Sequence, residues 1–281
     1  MNDIIWMPLF LTRTIQNCLF SLVELLPRIC YHDVKNNSKG GINMRKTYID
    51  NIRWMTVILV VIYHVFYMFN GQVTSGVIGP FTPVQYQDVV QYFVYPWFML
   101  LLFVISGMSA RFYLNGHSDK EFLKSRTTKL LVPSTIGLFV FWWILGYYNM
   151  MIGGAFENMS AVPKTILYVI MAVSGIGALW YIQLLWVVSL FLLFIRKIEK
   201  DRLYGLCEKA NLPVLLCMTP VIWGAAQILN TPVIVVYRFG IYGVGFLLGY
   251  FIFSHDAVME RLEKWWLPLS LAALGLGIGF V

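Results

Sequence analysis

Seven apolar runs, separated by short polar loops, constrain this chain more than any other feature of it. They cover Trp54–Phe69, Val89–Ser109, Leu130–Met150, Leu179–Ile195, Leu212–Leu229, Val233–Phe253 and Trp265–Val281. A bilayer core takes ~20 helical residues to cross, and each run is close to that. In hydrocarbon the backbone must satisfy its own polar groups, which a helix does within one segment. The expected fold class is therefore all-α, a polytopic transmembrane helical bundle of about seven spans. Composition agrees. Hydrophobic residues make up 59% and charged residues 12% of 281, against a usual charged share of ~25%. So few charges cannot cover a soluble domain of this size. An ordinary cytosolic enzyme, a disordered chain and a secreted disulfide scaffold are excluded.

The net charge of +7 is explained by placement. Arg45, Lys46 and Arg53 precede the first span. Arg111, Lys120, Lys124, Arg126 and Lys129 follow the second, and Arg196, Lys197, Lys200, Arg202 and Lys209 follow the fourth. Arg261 and Lys264 follow the sixth, while the loops Asn70–Asp88 and Met151–Pro163 carry no Lys or Arg. Cytoplasmic loops collect Lys and Arg, so the Met44 end is expected in the cytoplasm. Nucleic acid is not needed to account for the charge and is not an expected partner.

Residues 1–43 differ from the rest. The apolar stretch Ile4–Leu26 is interrupted by Arg13 and Glu24, which suits an interfacial segment better than a spanning one. Residues 36–41 (NNSKGG) then read as a linker. The expected division is an N-terminal extension or mis-assigned start over 1–43 and a transmembrane domain over 44–281, with the functional chain beginning at Met44. Cys18, Cys30, Cys207 and Cys217 form no CxxC pair and no ligand spacing with histidine, so neither a metal site nor a redox motif is expected. The short apolar stretch Thr165–Val173, followed by Gly175 and Gly177, is expected to be re-entrant or interfacial. Counting it as a span would put the basic 196–211 loop outside. Irregular backbone at membrane depth is tolerated where it lines a cavity.

His64 is the one histidine inside an apolar run. An ionisable group there marks a functional site by default; the alternative is an interhelical hydrogen bond. Arg53 lies eleven positions earlier. Eleven steps of ~100° return to within ~20° of the same face, and the rise is ~16 Å. One helix face therefore pairs a group suited to an anion at the interface with an acid/base group near the midplane. A guanidinium donates bidentate hydrogen bonds to phosphate, and a histidine titrates near neutral pH. Asp50 is ~21 Å from His64 by rise, too far to orient the ring, but it sits three residues before Arg53 and is expected to pair with it.

The stretch from Tyr48-Ile-Asp50-Asn51-Ile-Arg53 to His64 resembles the acyltransferase-3 family of integral membrane acyltransferases, with its Arg-x10-His signature. The resemblance continues through Phe103-Val-Ile-Ser106-Gly107, the basic stretch Arg126-Thr-Thr-Lys129-Leu-Leu-Val-Pro133, Leu179-Trp180-Tyr181-Ile182, and Tyr242 to Gly249-Tyr250. Where members often carry two arginines, this chain has Arg126 and Lys129. Members usually have about ten spans, so the C-terminus reads as truncated relative to the family.

The resemblance implies transfer of an acyl group, often acetyl, from a cytoplasmic acyl-CoA to a hydroxyl of a glycan or related acceptor on the far side of a bacterial plasma membrane. Acyl-CoA is then a co-substrate, with no permanently bound cofactor. His64 is expected as general base and Arg53 as its catalytic partner. Arg53, Arg126, Lys129 and Ser106 are expected to contact the donor, Trp180 and Arg238 the acceptor. Ser106 also reads as a packing residue, Trp180 as part of an aromatic belt, and the Gly245/Gly249 pair as a helix-contact face. Two competing functions are a proton-coupled transporter with His64 as relay and an inactive fragment.

Overall fold

The computed structural model describes residues 46–67, 69, 86–152, 154–159, 161–229 and 237–280. The expectations for residues 1–43, for the start at Met44 and for the Val233–Val236 edge of the sixth run lie outside them. Among the described residues the chain is helical, with no β-strand. The helices are α1 (Thr47–Tyr67), α2 (Tyr86–Leu114), α3 (Asp119–Arg126), α4 (Val132–Gly137), α5 (Trp143–Ile152), α6 (Lys164–Ser174), α7 (Leu179–Glu199), α8 (Arg202–Cys207), α9 (Leu212–Ala225), α10 (Phe239–Leu248), α11 (Asp256–Lys264) and α12 (Trp266–Phe280).

Four stretches are long and apolar enough to cross a membrane: Thr47–Tyr67, Val89–Leu114, Asp119–Met151 and Leu179–Glu199. A fifth is reached if the pair Phe239–Phe253 and Asp256–Lys264, bent by 95°, is one span. The expected runs at Leu212–Leu229 and Trp265–Val281 correspond to the shorter α9 and α12. The chain is an integral membrane protein of the all-α class.

The chain divides into two units. The first holds α1, the N-terminal part of α2 through Phe98, and residues from Met259 onward. Within it, the Tyr63 ring stacks on Tyr95 at 5.8 Å and tilts against Phe98 at 5.0 Å. Gln91 donates its side-chain amide to the Phe66 carbonyl. Trp54, Val57, Ile58, Val61, Ile62 and Val65 of α1 are exposed, the apolar surface that hydrocarbon accepts.

The second unit holds residues 99–258. Its core is built from Phe103 and Ile105 of α2, Leu184 and Leu192 of α7, Phe246 of α10, and Tyr250. Glycines set how closely these helices approach. A Cβ on Gly107 would lie 2.0 Å from the Phe246 carbonyl oxygen, and one on Gly249 2.0 Å from that of Val104. The backbones of α2 and the α10 segment thus touch, as small residues allow. The expected contact role of Gly245 and Gly249 is what the structure shows, since Gly245 faces Leu100. Gly146 of α5 packs in the same way on the Met171 carbonyl of α6, and Gly175 on the Trp142 carbonyl. The Thr165–Val173 stretch is therefore a helix clasped to α5.

Pro133 lies inside a continuous helical run. Its ring cannot donate and would crowd the carbonyl four residues back. The helix widens there into a π-helical segment, Thr127–Leu131, in which the Val132 N–H reaches back to the Thr127 carbonyl. A second such segment follows at Leu138–Trp142. At the start of the run Ser118 and Glu121 form a capping box, which satisfies donors that a helix N-terminus otherwise leaves open.

Candidate functional site

In the first unit, α1 carries Arg53 and His64 on one uninterrupted helix. Arg53 Nη1 donates to Asp50 Oδ1 at 3.0 Å, the i,i+3 ion pair expected from spacing. Thr56, buried on the same helix, returns its hydroxyl to the Ile52 carbonyl. His64 is exposed, with Nδ1 2.7 Å from the Val60 carbonyl oxygen. A carbonyl only accepts, so Nδ1 carries the hydrogen in this contact. In the neutral ring the basic lone pair is then on Nε2. The ring also meets Tyr63 edge-on at 5.4 Å. The Val60 carbonyl thus orients the imidazole, a partner four residues back that sequence reasoning did not name.

In the second unit, Arg126 ends α3 half-buried, its guanidinium 5.0 Å above the Phe122 ring. Lys129 is exposed within the π-helical segment. Trp186 of α7 donates its indole N–H to the Thr127 hydroxyl at 3.1 Å, tying that segment to α7. The extra residue per turn of a π bulge re-aims neighbouring side chains, and such bulges recur at functional sites.

Ser106 is buried and shares a hydrogen bond of 3.0 Å with the Tyr181 hydroxyl. Phe103 stacks on Tyr242 at 4.8 Å and meets Tyr181 edge-on at 5.0 Å. Trp180 lies 5.3 Å from Tyr242. Arg238 immediately precedes α10, one helical turn before Tyr242, and Tyr237 beside it donates its hydroxyl to the Gln183 side-chain oxygen. The structure therefore brings Ser106 and Trp180 to one aromatic and hydroxyl-bearing cluster, built by α2, α7 and α10, and sets Arg238 at the start of the last of these. Sequence reading named Trp180 and Arg238 singly, met Tyr181 and Tyr242 only as part of the family motifs, and missed Gln183 and Tyr237. For Gln183 and Tyr237 the sequence signal is polarity near the start of an apolar run.

A further group was missed. Arg111, counted only as a loop charge, joins Asp201, Tyr250 and Tyr204 across the ends of α2, α7 and α10. Among the described residues no group of three or more His, Cys, Asp or Glu could hold a metal ion.

No curated protein and no solved structure matches the chain. A family profile does, over residues 46–281, and its description is an acyltransferase domain. That match takes in all the described helices and every residue of the candidate site. This chain belongs to the acyltransferase-3 family of membrane acyltransferases.

Proposed function

We propose that this protein is an O-acyltransferase that moves an acyl group, acetyl in the simplest case, from a cytoplasmic acyl-CoA to a hydroxyl of an extracytoplasmic glycan or related acceptor in a bacterial plasma membrane. The observation that carries the reading is α1: a guanidinium held by Asp50 and an imidazole held by the Val60 carbonyl, on one helix. The positive-inside distribution of Lys and Arg orients the Arg53 end toward the cytoplasm. Arg53 then takes a donor phosphate, and Arg126 and Lys129 are further cationic groups for it, with Ser106 a donor contact. Trp180 and Arg238 serve the acceptor, a platform and a cation of the kind that bind sugars or anionic glycans.

His64 acts as general base. Nε2 removes the proton of the acceptor hydroxyl as its oxygen attacks the thioester carbonyl, and the thiolate of the donor leaves. Such proton transfer accelerates a reaction ~10²–10⁴-fold. The test is transfer from labelled acetyl-CoA in membranes carrying wild type, His64→Ala or Arg53→Ala. Transfer lost in His64→Ala, and lowered through the donor KM in Arg53→Ala, is the expected result. Equal labelling of product in all three overturns the assignment.

A further inference from the structure

Around the Tyr250 hydroxyl the second unit gathers a charged cluster that the acyl-transfer reading does not use. Arg111 Nη1 donates to Tyr250 at 3.0 Å and to Asp201 Oδ1 at 2.6 Å. Its guanidinium carbon lies over the Tyr204 ring, 3.5 Å from the centroid. His255 stacks on the same tyrosine at 3.9 Å and contacts its carbonyl through Nε2. Arg196 stands in the last turn of α7, which leads into the Asp201 turn. Arg196 itself pairs with Asp119 at 2.5 Å.

Three details do not fit a clamp whose only task is to hold helices together. The Arg111 side chain is 12% exposed, yet among the described residues its buried Nε has no hydrogen-bond partner. The planar fork that suits a bidentate anion is therefore half used. The acid that meets it is 51% exposed and, among the described residues, its side chain makes a single bond. That acid also sits on two successive left-handed residues, Lys200 (φ 51°) and Asp201 (φ 60°), a conformation L-residues disfavour. Glu199 already ties this turn, accepting from the Asp201 and Tyr204 N–H groups, so the turn has support that does not come from Arg111. Finally, the Tyr250 oxygen accepts from Arg111, which leaves its hydroxyl hydrogen to donate elsewhere.

We infer that this cluster is a binding site for a phosphate group, with Asp201 as its internal stand-in. The Asp201 carboxylate swings out, and phosphate oxygens accept from the Arg111 fork, from Arg196 and from the Tyr250 hydroxyl. Tyr204 and His255 hold the guanidinium plane. The ligand chemistry is a phosphate ester at the basic face of the membrane, carried either by a lipid headgroup or by a soluble nucleotide-type phosphate. No turnover is required to observe it.

The test compares thermal unfolding of the full-length protein in nanodiscs of phosphatidylcholine, in inorganic phosphate and in chloride of equal ionic strength. Asp201→Asn removes the internal anion, so its phosphate-dependent rise in midpoint exceeds that of wild type, with apparent affinity tighter by about tenfold or more. Arg111→Gln combined with Asp201→Asn abolishes the rise. An Asp201→Asn protein that responds no more than wild type overturns the site. A second comparison needs no change at Asp201: wild type responds to phosphate and Arg111→Lys, which keeps the charge and loses the fork, does not. An equal response in both, or none in either, also overturns it. Repeating the scan in phosphatidylglycerol discs and with adenosine 3′,5′-bisphosphate separates the sources. A midpoint already raised by the anionic lipid, with no further response to the nucleotide, identifies a headgroup. A nucleotide response that persists in both discs and is lost in Arg111→Lys identifies a soluble phosphate at this cluster, whereas one unchanged in Arg111→Lys belongs to the donor groups Arg53, Arg126 and Lys129 and overturns the site as a nucleotide site.

Discussion

Asp50 and Val60 act on the two principal residues of α1 through local contacts, and their weights differ. The Asp50–Arg53 pair is partly exposed on both sides, at 31% and 39%. Exposed pairs contribute ~0.2–1 kcal/mol, a factor of about 1.4–5 in an equilibrium. Asp50→Asn is therefore expected to raise the donor KM by about that factor and to leave kcat in place, which steady-state kinetics over a range of acetyl-CoA concentration will show. Val60 contributes a backbone atom, so no side-chain change at 60 removes the contact. His64→Asn keeps a donor at the Nδ1 position but has no base, and activity is expected to fall ~10²–10⁴-fold.

His255 adds a pH dependence of a different kind. Burial holds its imidazole below the ordinary histidine value, and Arg111 pushes the same way. The Tyr204 carbonyl, Glu208 and the Phe251 backbone oppose this. The unfolded chain thus takes up a proton at higher pH than the folded one. The stability contributed by the neutral ring is full above the unfolded value, ~6.5, and is lost as pH falls below it toward the folded value. Unfolding midpoints measured from pH 7.5 to 5.5 should drop further for wild type than for His255→Asn. Equal slopes would show that the ring is not held neutral by its surroundings.

At the scale of elements, glycine contacts separate helices that can spread from helices that cannot. Gly107→Ala and Gly249→Ala each drive a methyl to 2.0 Å from a backbone oxygen. Overpacking of this kind costs ~1–3 kcal/mol or more, and here the obstacle is backbone, which cannot rotate away. Gly243, on the same helix, has nothing within 4 Å of its Cβ position. Gly243→Ala is expected to be neutral or to stabilise by up to ~1 kcal/mol, from the better helix propensity of alanine. Detergent-solubilised unfolding of the three variants checks the contrast. The capping box at the start of α3 makes a smaller contribution: Ser118→Ala should cost about 1 kcal/mol, seen as a modest fall in midpoint.

If Lys129 contacts the donor as proposed, the proline-driven π-helical segment is the element that aims it. It carries Lys129 and is fastened to α7 through Thr127 and Trp186. Pro133→Ala removes the steric reason for the wide turn. The helix is expected to close toward α-geometry and turn Lys129 to a new direction, with a rise in donor KM larger than the change in stability.

For the whole molecule, the basic charge lies in alternate loops, and the structure converts part of it into specific contacts. Arg111 and Arg196 bind Asp201 and Asp119 across the second unit. These pairs tie the end of α2 to the segment after α7, and the end of α7 to the start of α3. The orientation reading makes the 196–211 loop cytoplasmic. Single cysteines introduced at exposed Lys209 and Glu157 should label oppositely with a membrane-impermeant maleimide in intact cells, Glu157→Cys reacting and Lys209→Cys protected.

The residue sequence by itself determined the class of fold, the helical runs, the charge asymmetry, the Arg53–Asp50 pair and the GxxxG contact. All of these are local: hydropathy acts over ~20 residues and side-chain pairing over one helical turn. It also carried enough in-order motifs to mark the family. Tertiary structure alone decided which polar groups far apart in the sequence meet. Ser106 finds Tyr181, 75 positions away, and Arg111 finds Tyr250, 139 positions away. No periodicity encodes such partners, because they depend on how close glycines let α2 approach α10 and where a bent helix places its end. The same physics explains why Arg111 read as one loop charge among several. A guanidinium becomes a potential anion site only when burial removes water from it and neighbours leave part of its fork unfilled.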